Sequence, residues 1–291
     1  MKAVILRFSN KLNGVVIDAI EHFLFVREHG HEVRLVFVTE LFADLAFLDD
    51  VLDLITSRYK VTGDVSKDIR VELKTQVRCT QYTNVLLCGA QDLELIPSIS
   101  TDSLTILQEE VWIEDTQIGE KWYCKLPGLE KARVFTEYGS SGEVTPALFA
   151  FDLYKEKVLV PKSYYMVGLG TKGSSEIIDD LLHDEDIEEI QTYGTEEIFK
   201  DPRVKTNPFG IKDIFNSFGT YIYDNDLSFF DPRPRLFVEC QYYNKDVKVH
   251  RISTKDGAWN RWNDFNTLTR DELISKRNMT LESPVIKHFL T

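Results

Sequence analysis

A chain of 291 residues, 43% hydrophobic and 28% charged, has the apolar material for folded cores, and its length predicts two domains; global disorder is excluded. Lys and Arg total 34 against 47 Asp and Glu, a net charge of −13, so the surface repels polyanions at long range and any nucleic-acid partner must be met by a local basic patch. No run approaches the roughly 18–20 apolar residues of a bilayer span, and four scattered cysteines without a C-x-x-C pair argue against a zinc site or a disulfide scaffold.

Met1-Lys2-Ala3-Val4-Ile5-Leu6 begins like a signal peptide, but Arg7 and Asn10 interrupt it, so residues 2–9 are read as a first strand and the protein as cytoplasmic. A polar loop ending at Asn13-Gly14 leads into Val16, Ala19, Ile20, Phe23 and Val26, whose spacing predicts a helix with one apolar face. Gly30 suits the left-handed close of that helix, and Val33–Val38 predicts a second strand, hence a βαβ unit. A Leu-rich acidic helix is expected near 40–57, with strands around Asn84–Cys88, Leu104–Leu107 and Ala132–Thr136.

The grammar restarts at Ser163–Gly170, an apolar strand followed by Thr171-Lys172-Gly173 and a helix to about Leu182. The fold class is therefore α/β, two Rossmann-like domains facing a cleft, with domains at 1–158 and 159–291. The C-terminal helical stretches, Asp271–Lys276 and Pro284–Leu290, are expected to pack back across the boundary. The acidic run His183–Asp186 reads as a solvated loop.

Thr220-Tyr221-Ile222-Tyr223 predicts another strand, and after a loop comes Asp231-Pro232-Arg233-Pro234-Arg235-Leu236-Phe237-Val238-Glu239-Cys240. On a helix starting near Pro234, Arg235 and Glu239 share a face. Arginine forks and a helix N-terminus neutralise phosphate, and a carboxylate one turn on can accept from ribose hydroxyls, so the arrangement suits a nucleotide diphosphate. The alternative is an i,i+4 salt bridge on a surface helix. Cys240 reads as a buried, inert thiol.

Asp231 and Glu239 are separated by seven residues, and this element resembles the E-x7-E motif in the C-terminal domain of retaining glycosyltransferases of the GT-B fold. The resemblance implies that Glu239 binds the donor ribose and that Asp231 lies by the sugar. Asp stands here for the family's first Glu, and Pro232-Arg233-Pro234 for its Gly-Phe-Gly, so the branch is divergent. Asn13-Gly14 followed by a helix and Gly30-His31 is similar to the N-terminal signature of that family. Gly168-Leu169-Gly170 with Lys172 is similar to the start of its donor domain, where backbone amides and a base face pyrophosphate.

The resemblance implies a metal-independent, retaining transfer from a nucleotide-sugar, UDP-sugar first, with no other cofactor. Asp231 and Arg235 are the expected catalytic residues. Arg233, Arg235, Glu239, Gly168, Gly170, Lys172, Tyr223, Lys245, Asn13 and Gly14 are the expected donor-binding set, and Arg235→Ala is expected to spare folding. Relatives of this divergent type occur in tailed phages and large DNA viruses, some adding sugars to hydroxymethylated bases, which makes modified DNA one acceptor class and a glycan another; a phage protein would act in the host cytoplasm.

Trp259 and Trp262 suit either a core-facing helical side or a stacking platform. Six histidines form no H-E-x-x-H motif, His29-Gly30-His31 is not read as a metal-ligand pair, and Asp224-Asn225-Asp226 reads as turn chemistry rather than as a metal motif. A non-catalytic Rossmann-like binding protein is the rival outside enzymes. A nucleotide-dependent oxidoreductase lacks its G-x-G-x-x-G after the first strand.

Overall fold

The structure is a computed structural model that describes residues 1–9, 12–40, 46–108, 127–136, 143–169, 175–194, 199–207, 214–224, 235–251 and 268–291. It divides into two compact units, Met1–Tyr154 together with Arg277–Thr291, and Lys155–Lys276. The chain thus changes unit beside the expected boundary, and returns for its last fifteen residues.

In the first unit the described strands are β1 (Lys2–Arg7), β2 (Val33–Thr39), β3 (Ile69–Leu73), β4 (Gln81–Leu87), β5 (Ser100–Gln108), β6 (Ala132–Thr136) and β7 (Glu143–Val144). They form one sheet of order β3-β2-β1-β4-β5-β6-β7, every neighbouring pair parallel. The strands near 84–88, 104–107 and 132–136 are where the apolar runs placed them. Strand β3 was not expected; its Ile-Arg-Val-Glu-Leu alternates and carries little apolar signal.

Helix α1 (Gly14–Glu28) joins β1 to β2. Asn13 caps it, its side-chain oxygen accepting from Val16 N at 3.1 Å, and Gly30 closes it at φ +85°. The expectation of a single apolar face is corrected here: Phe23, Leu24, Phe25 and Val26 are all buried, and so are Asp18, Glu21 and His22. The polar side of α1 is covered because Glu21 is an acceptor for its own roof. Its carboxylate receives hydrogen bonds from Tyr59 Oη (2.8 Å), Tyr154 Oη (2.6 Å) and Ala150 N (3.1 Å). A buried carboxylate is tolerated when donors replace its water.

Helix α2 (Ala46–Arg58) and the short α3 (Lys74–Cys79) complete the N-terminal βα repeats. The core under β1, β2, β4 and β5 includes Ile5, Val36, Val85, Leu87 and Ile106.

The second unit repeats the plan in fewer strands: β8 (Tyr164–Gly168), β9 (Glu189–Tyr193), β10 (Val204–Asn207), β11 (Thr220–Asp224) and β12 (Asp246–Arg251). Among the described residues the order is β10-β9-β8-β11-β12, again all parallel. Both sheets thus run outward from their first strand in both directions, the doubly wound plan expected of a Rossmann-like domain. Helix α4 (Glu176–Leu182) packs with Val167, Ile190 and Ile222, while α5 (Arg235–Tyr242) meets the opposite face of β11, where the Tyr223 and Phe237 rings lie edge to face.

Helix α6 (Arg270–Arg277) opens with a reciprocal cap, Thr269 N donating to Glu272 Oε2 at 2.8 Å and Glu272 N to Thr269 Oγ1 at 3.3 Å. Helix α7 (Pro284–Leu290) starts on its proline and packs on β4 and β5 of the first unit, burying Val285, Ile286 and Phe289. No helix among the described residues is long and apolar enough to cross a membrane.

Candidate functional site

In open parallel sheets, ligands bind beyond the carboxyl ends of the strands, where the strand order reverses. In the second unit that point lies between β8 and β11, which pair through Ile222 and Val167. One register step further on lie Tyr223 and Gly168, the two expected donor residues that end on this rim.

Gly168 closes β8 opposite Tyr193. A Cβ added there would stand 2.7 Å from Tyr193 Oη and 2.8 Å from its Cζ, so the glycine is required by the tyrosine ring that crosses it. Tyr193 Oη in turn lies 2.9 Å from Tyr221 Oη. Burial, with the Tyr193 hydroxyl alongside, pushes the Tyr221 phenol well above its usual value, so Tyr221 stays protonated. The amide of Leu169 donates to Tyr193 O at 2.9 Å and is committed to the backbone. Of the Gly168–Gly170 amides expected to meet pyrophosphate, that of Leu169 is therefore spent.

Helix α5 follows β11 and begins at Arg235. Arg235 Nε donates to Glu239 Oε1 at 3.2 Å, with the two side chains 7% and 3% exposed. The surface salt bridge that the sequence left open is thereby excluded: the pair is buried, and the large cost of desolvating two charges is met by contact one turn apart. Arg235 belongs to the first turn of the helix, the positive end of its dipole. Cys240, next to this pair, is fully buried and its thiol is pushed well up, first by burial and then by Glu239, which makes it a poor nucleophile.

Tyr223 is 1% exposed, and Asp224, the last residue of β11, is fully buried beside a register shift against β12. The sequence reading treated Asp224 only as part of a turn, whereas the structure ends β11 on it and buries it. Its burial was not legible because an aspartate at a strand end has the same letter whether it caps a turn or faces a site.

Lys245 stands at the amino end of β12, where Nζ donates to Phe218 O at 2.6 Å and lies 4.9 Å from the Phe218 ring centroid. That is the other edge of the sheet from Gly168 and Tyr223, so the structure separates Lys245 from these two residues of the expected donor set. Asp231, Arg233, Gly170 and Lys172 lie outside the described residues, as do Asn225, Asp226, Trp259 and Trp262.

In the first unit, the corresponding rim carries Asn13 and Gly14 after β1 and Gly89 after β4. Asn13 spends its side chain on capping α1, while Gly14 faces open space. Gly89 admits Val15, whose Cγ1 would stand 2.5 Å from an added Cβ. Buried Asp92 Oδ1 accepts from Arg7 N at 2.6 Å, tying the end of β1 to the turn after β4. This second carboxylate at the rim was also missed; its only signal is a glycine closing the apolar run that ends at Cys88.

No family model and no curated protein matches the sequence. Among solved structures, the chain is similar to an alpha-glucosyltransferase in complex with UDP and a 13-mer DNA containing a central A:G mismatch, with a TM-score of 0.53, 9% identity and 96% of each chain covered. An alpha-glucosyltransferase in complex with UDP follows at a TM-score of 0.47 and 10% identity, and one in complex with UDP and a 13-mer DNA containing a HMU base at 0.44 and 10%, both with 96% of each chain covered. The first likeness, spanning nearly all of both chains, shows that this protein has the two-domain α/β GT-B fold.

Proposed function

We propose that the protein is a glycosyltransferase that moves a sugar from a UDP-sugar to an acceptor hydroxyl, and that the acceptor is a hydroxymethylated pyrimidine in DNA. The buried Arg235–Glu239 pair in the first turn of the helix after β11 carries the reading. It is a fixed cation and carboxylate on the helix that follows β11, one of the two strands that flank the switch point of the second sheet. The fold neighbour's UDP and DNA supply the ligand classes.

In the proposed reaction the bond between the anomeric carbon and the β-phosphate oxygen breaks, the acceptor oxygen forms the new glycosidic bond, and its proton leaves. Negative charge then develops on departing UDP. Arg235 and the amino end of α5 stabilise it without a metal, with Arg233 and Lys172 as further cations. Glu239 accepts from the ribose hydroxyls, Asp231 lies by the sugar, and the anomeric configuration is retained. The reaction takes place in the cytoplasm.

A thermal-shift series with UDP, GDP, ADP and CMP tests the donor. A ligand at 100 times its dissociation constant stabilises by about 2.7 kcal/mol, and the expected result is a shift selective for UDP that Glu239→Gln abolishes. Transfer of labelled sugar to hydroxymethylated but not unmodified oligonucleotide then tests the acceptor, and an EDTA-insensitive rate and the anomer formed test the mechanism. No shift with any nucleotide would replace the enzyme reading with that of a Rossmann-like protein whose arginine–glutamate pair is structural.

A further inference from the structure

The first unit has a cavity of about 230 Å³ at the amino ends of β4, β5 and β6, the edge of the sheet opposite the one at which α/β ligands ordinarily bind. It is smaller than the roughly 300–1,000 Å³ of sites for drug-sized ligands. Its floor is apolar, including Ile96 and Leu104, and its polar lining comes from Arg78, Ser98, Ser100 and Lys131.

No carboxylate among the described residues lines it. In a chain of net charge −13 this is a local reversal. Arg78, at the end of α3, is exposed and its guanidinium makes no hydrogen bond or ion pair among the described residues. Lys131 is exposed too, and its only contact there is a long one, Nζ to Thr101 O at 3.5 Å. The nearest acid along β5, Asp102, is held by Gln81 Nε2 at 3.1 Å.

Ser98 supplies an independent observation. It is 3% exposed and lines the cavity, and its hydroxyl, which makes no hydrogen bond among the described residues, is open to that space. A hydroxyl that opens on a cavity without a protein partner is available as a donor to an oxyanion. Ser100, in contrast, gives its hydroxyl to Gln81.

We infer that this cavity binds a phosphate group, with Arg78 and Lys131 neutralising its charge and the Ser98 hydroxyl donating to one of its oxygens. Two cations and a hydroxyl donor without competing acceptors are what a compact oxyanion requires. The phosphate comes either from free phosphate or from a polynucleotide backbone, and the two sources make the same contacts.

Calorimetric titration of the full chain with inorganic phosphate, at ionic strength matched with sodium chloride, tests the assignment. The expected result is saturable binding that weakens about tenfold or more in Arg78→Gln and in Lys131→Gln, and several-fold in Ser98→Ala, with unfolding temperatures unchanged when phosphate is absent. A short oligothymidylate that binds with the same dependence on the three residues supports the site and assigns it to a polynucleotide backbone; phosphate binding that the oligonucleotide leaves undisturbed supports it as a free-anion site. If all three variants bind phosphate and oligonucleotide as the parent does, or if neither ligand binds saturably, the cavity is a surface recess and the assignment is wrong. UDP binding in the other unit is indifferent to these substitutions, so this proposal and the donor reading fail separately.

Discussion

Arg235 shows how burial changes the meaning of a substitution. On the sequence alone, Arg235→Ala was expected to remove a catalytic charge and leave the fold intact. With both partners almost wholly buried, that change takes the buried cation away from the Glu239 carboxylate and is expected to cost about 3–5 kcal/mol of stability. Arg235→Lys is the sharper probe, because it keeps the charge and loses the planar fork. The expected outcome is a melting temperature within a few degrees of the parent and a transfer rate down by about two orders of magnitude or more; an unimpaired rate would remove Arg235 from the mechanism.

His288 makes a prediction of a different kind. Its Nδ1 lies 2.8 Å from Thr105 Oγ1, and its pKa is lowered from 6.5, first by burial and then by Arg133, with Glu143 opposing. The unfolded chain therefore takes up a proton at a pH where the folded chain resists it. The neutral form's stability is full above about pH 6.5 and declines as pH falls toward the folded value, levelling off below it. Melting curves between about pH 7.5 and pH 5 should show a shallower loss in His288→Asn than in the parent, and equal slopes would show that the contact does not matter.

Among the elements, β8 and β9 illustrate a glycine with a packing reason that the sequence did not show. Gly168 was expected for its amide, whereas it makes room for Tyr193. Gly168→Ala is expected to destabilise the protein by about 1–3 kcal/mol through overpacking, and the same change made in a Tyr193→Ala background should cost much less; an equal loss in both backgrounds would implicate the backbone instead. Strands β9 and β10 have short runs with few apolar residues, so their letters give little signal. Parallel pairing with β8 and with each other makes them strands, and that pairing joins residues far apart in sequence.

At the scale of the whole molecule, the chain passes out of the first unit after Tyr154 and re-enters at Arg277. Both passages are tied side by side to the first unit: Phe149 N donates to Arg277 O at 2.9 Å, Met279 N to Phe149 O at 2.8 Å, and Glu21 holds Ala150 and Tyr154. Val285, Ile286 and Phe289 then bury their side chains almost completely in the first unit. At about 1.5–3 kcal/mol apiece, they represent much of a total stability of about 5–15 kcal/mol. A chain ending at residue 276 is expected to lose amide-exchange protection in β4 and β5 while β8 and β11 keep theirs; full protection of β4 and β5 would show the tail to be dispensable.

Composition, apolar runs and turn residues by themselves determined the α/β class, the two successive strand–loop–helix starts, most strands of the first sheet and the helix bearing Arg235 and Glu239. Those features are local, written in spacings of two to four residues and in caps such as Asn13 and Gly30. Only the tertiary structure decided that Arg235 and Glu239 are a buried pair, that Gly168 yields to Tyr193, that Lys245 belongs to the other edge of its sheet, and that Glu21, Asp92 and Asp224 are buried carboxylates. Each depends on which distant segment covers a side chain, and a polar residue has the same letter whether water or protein satisfies it.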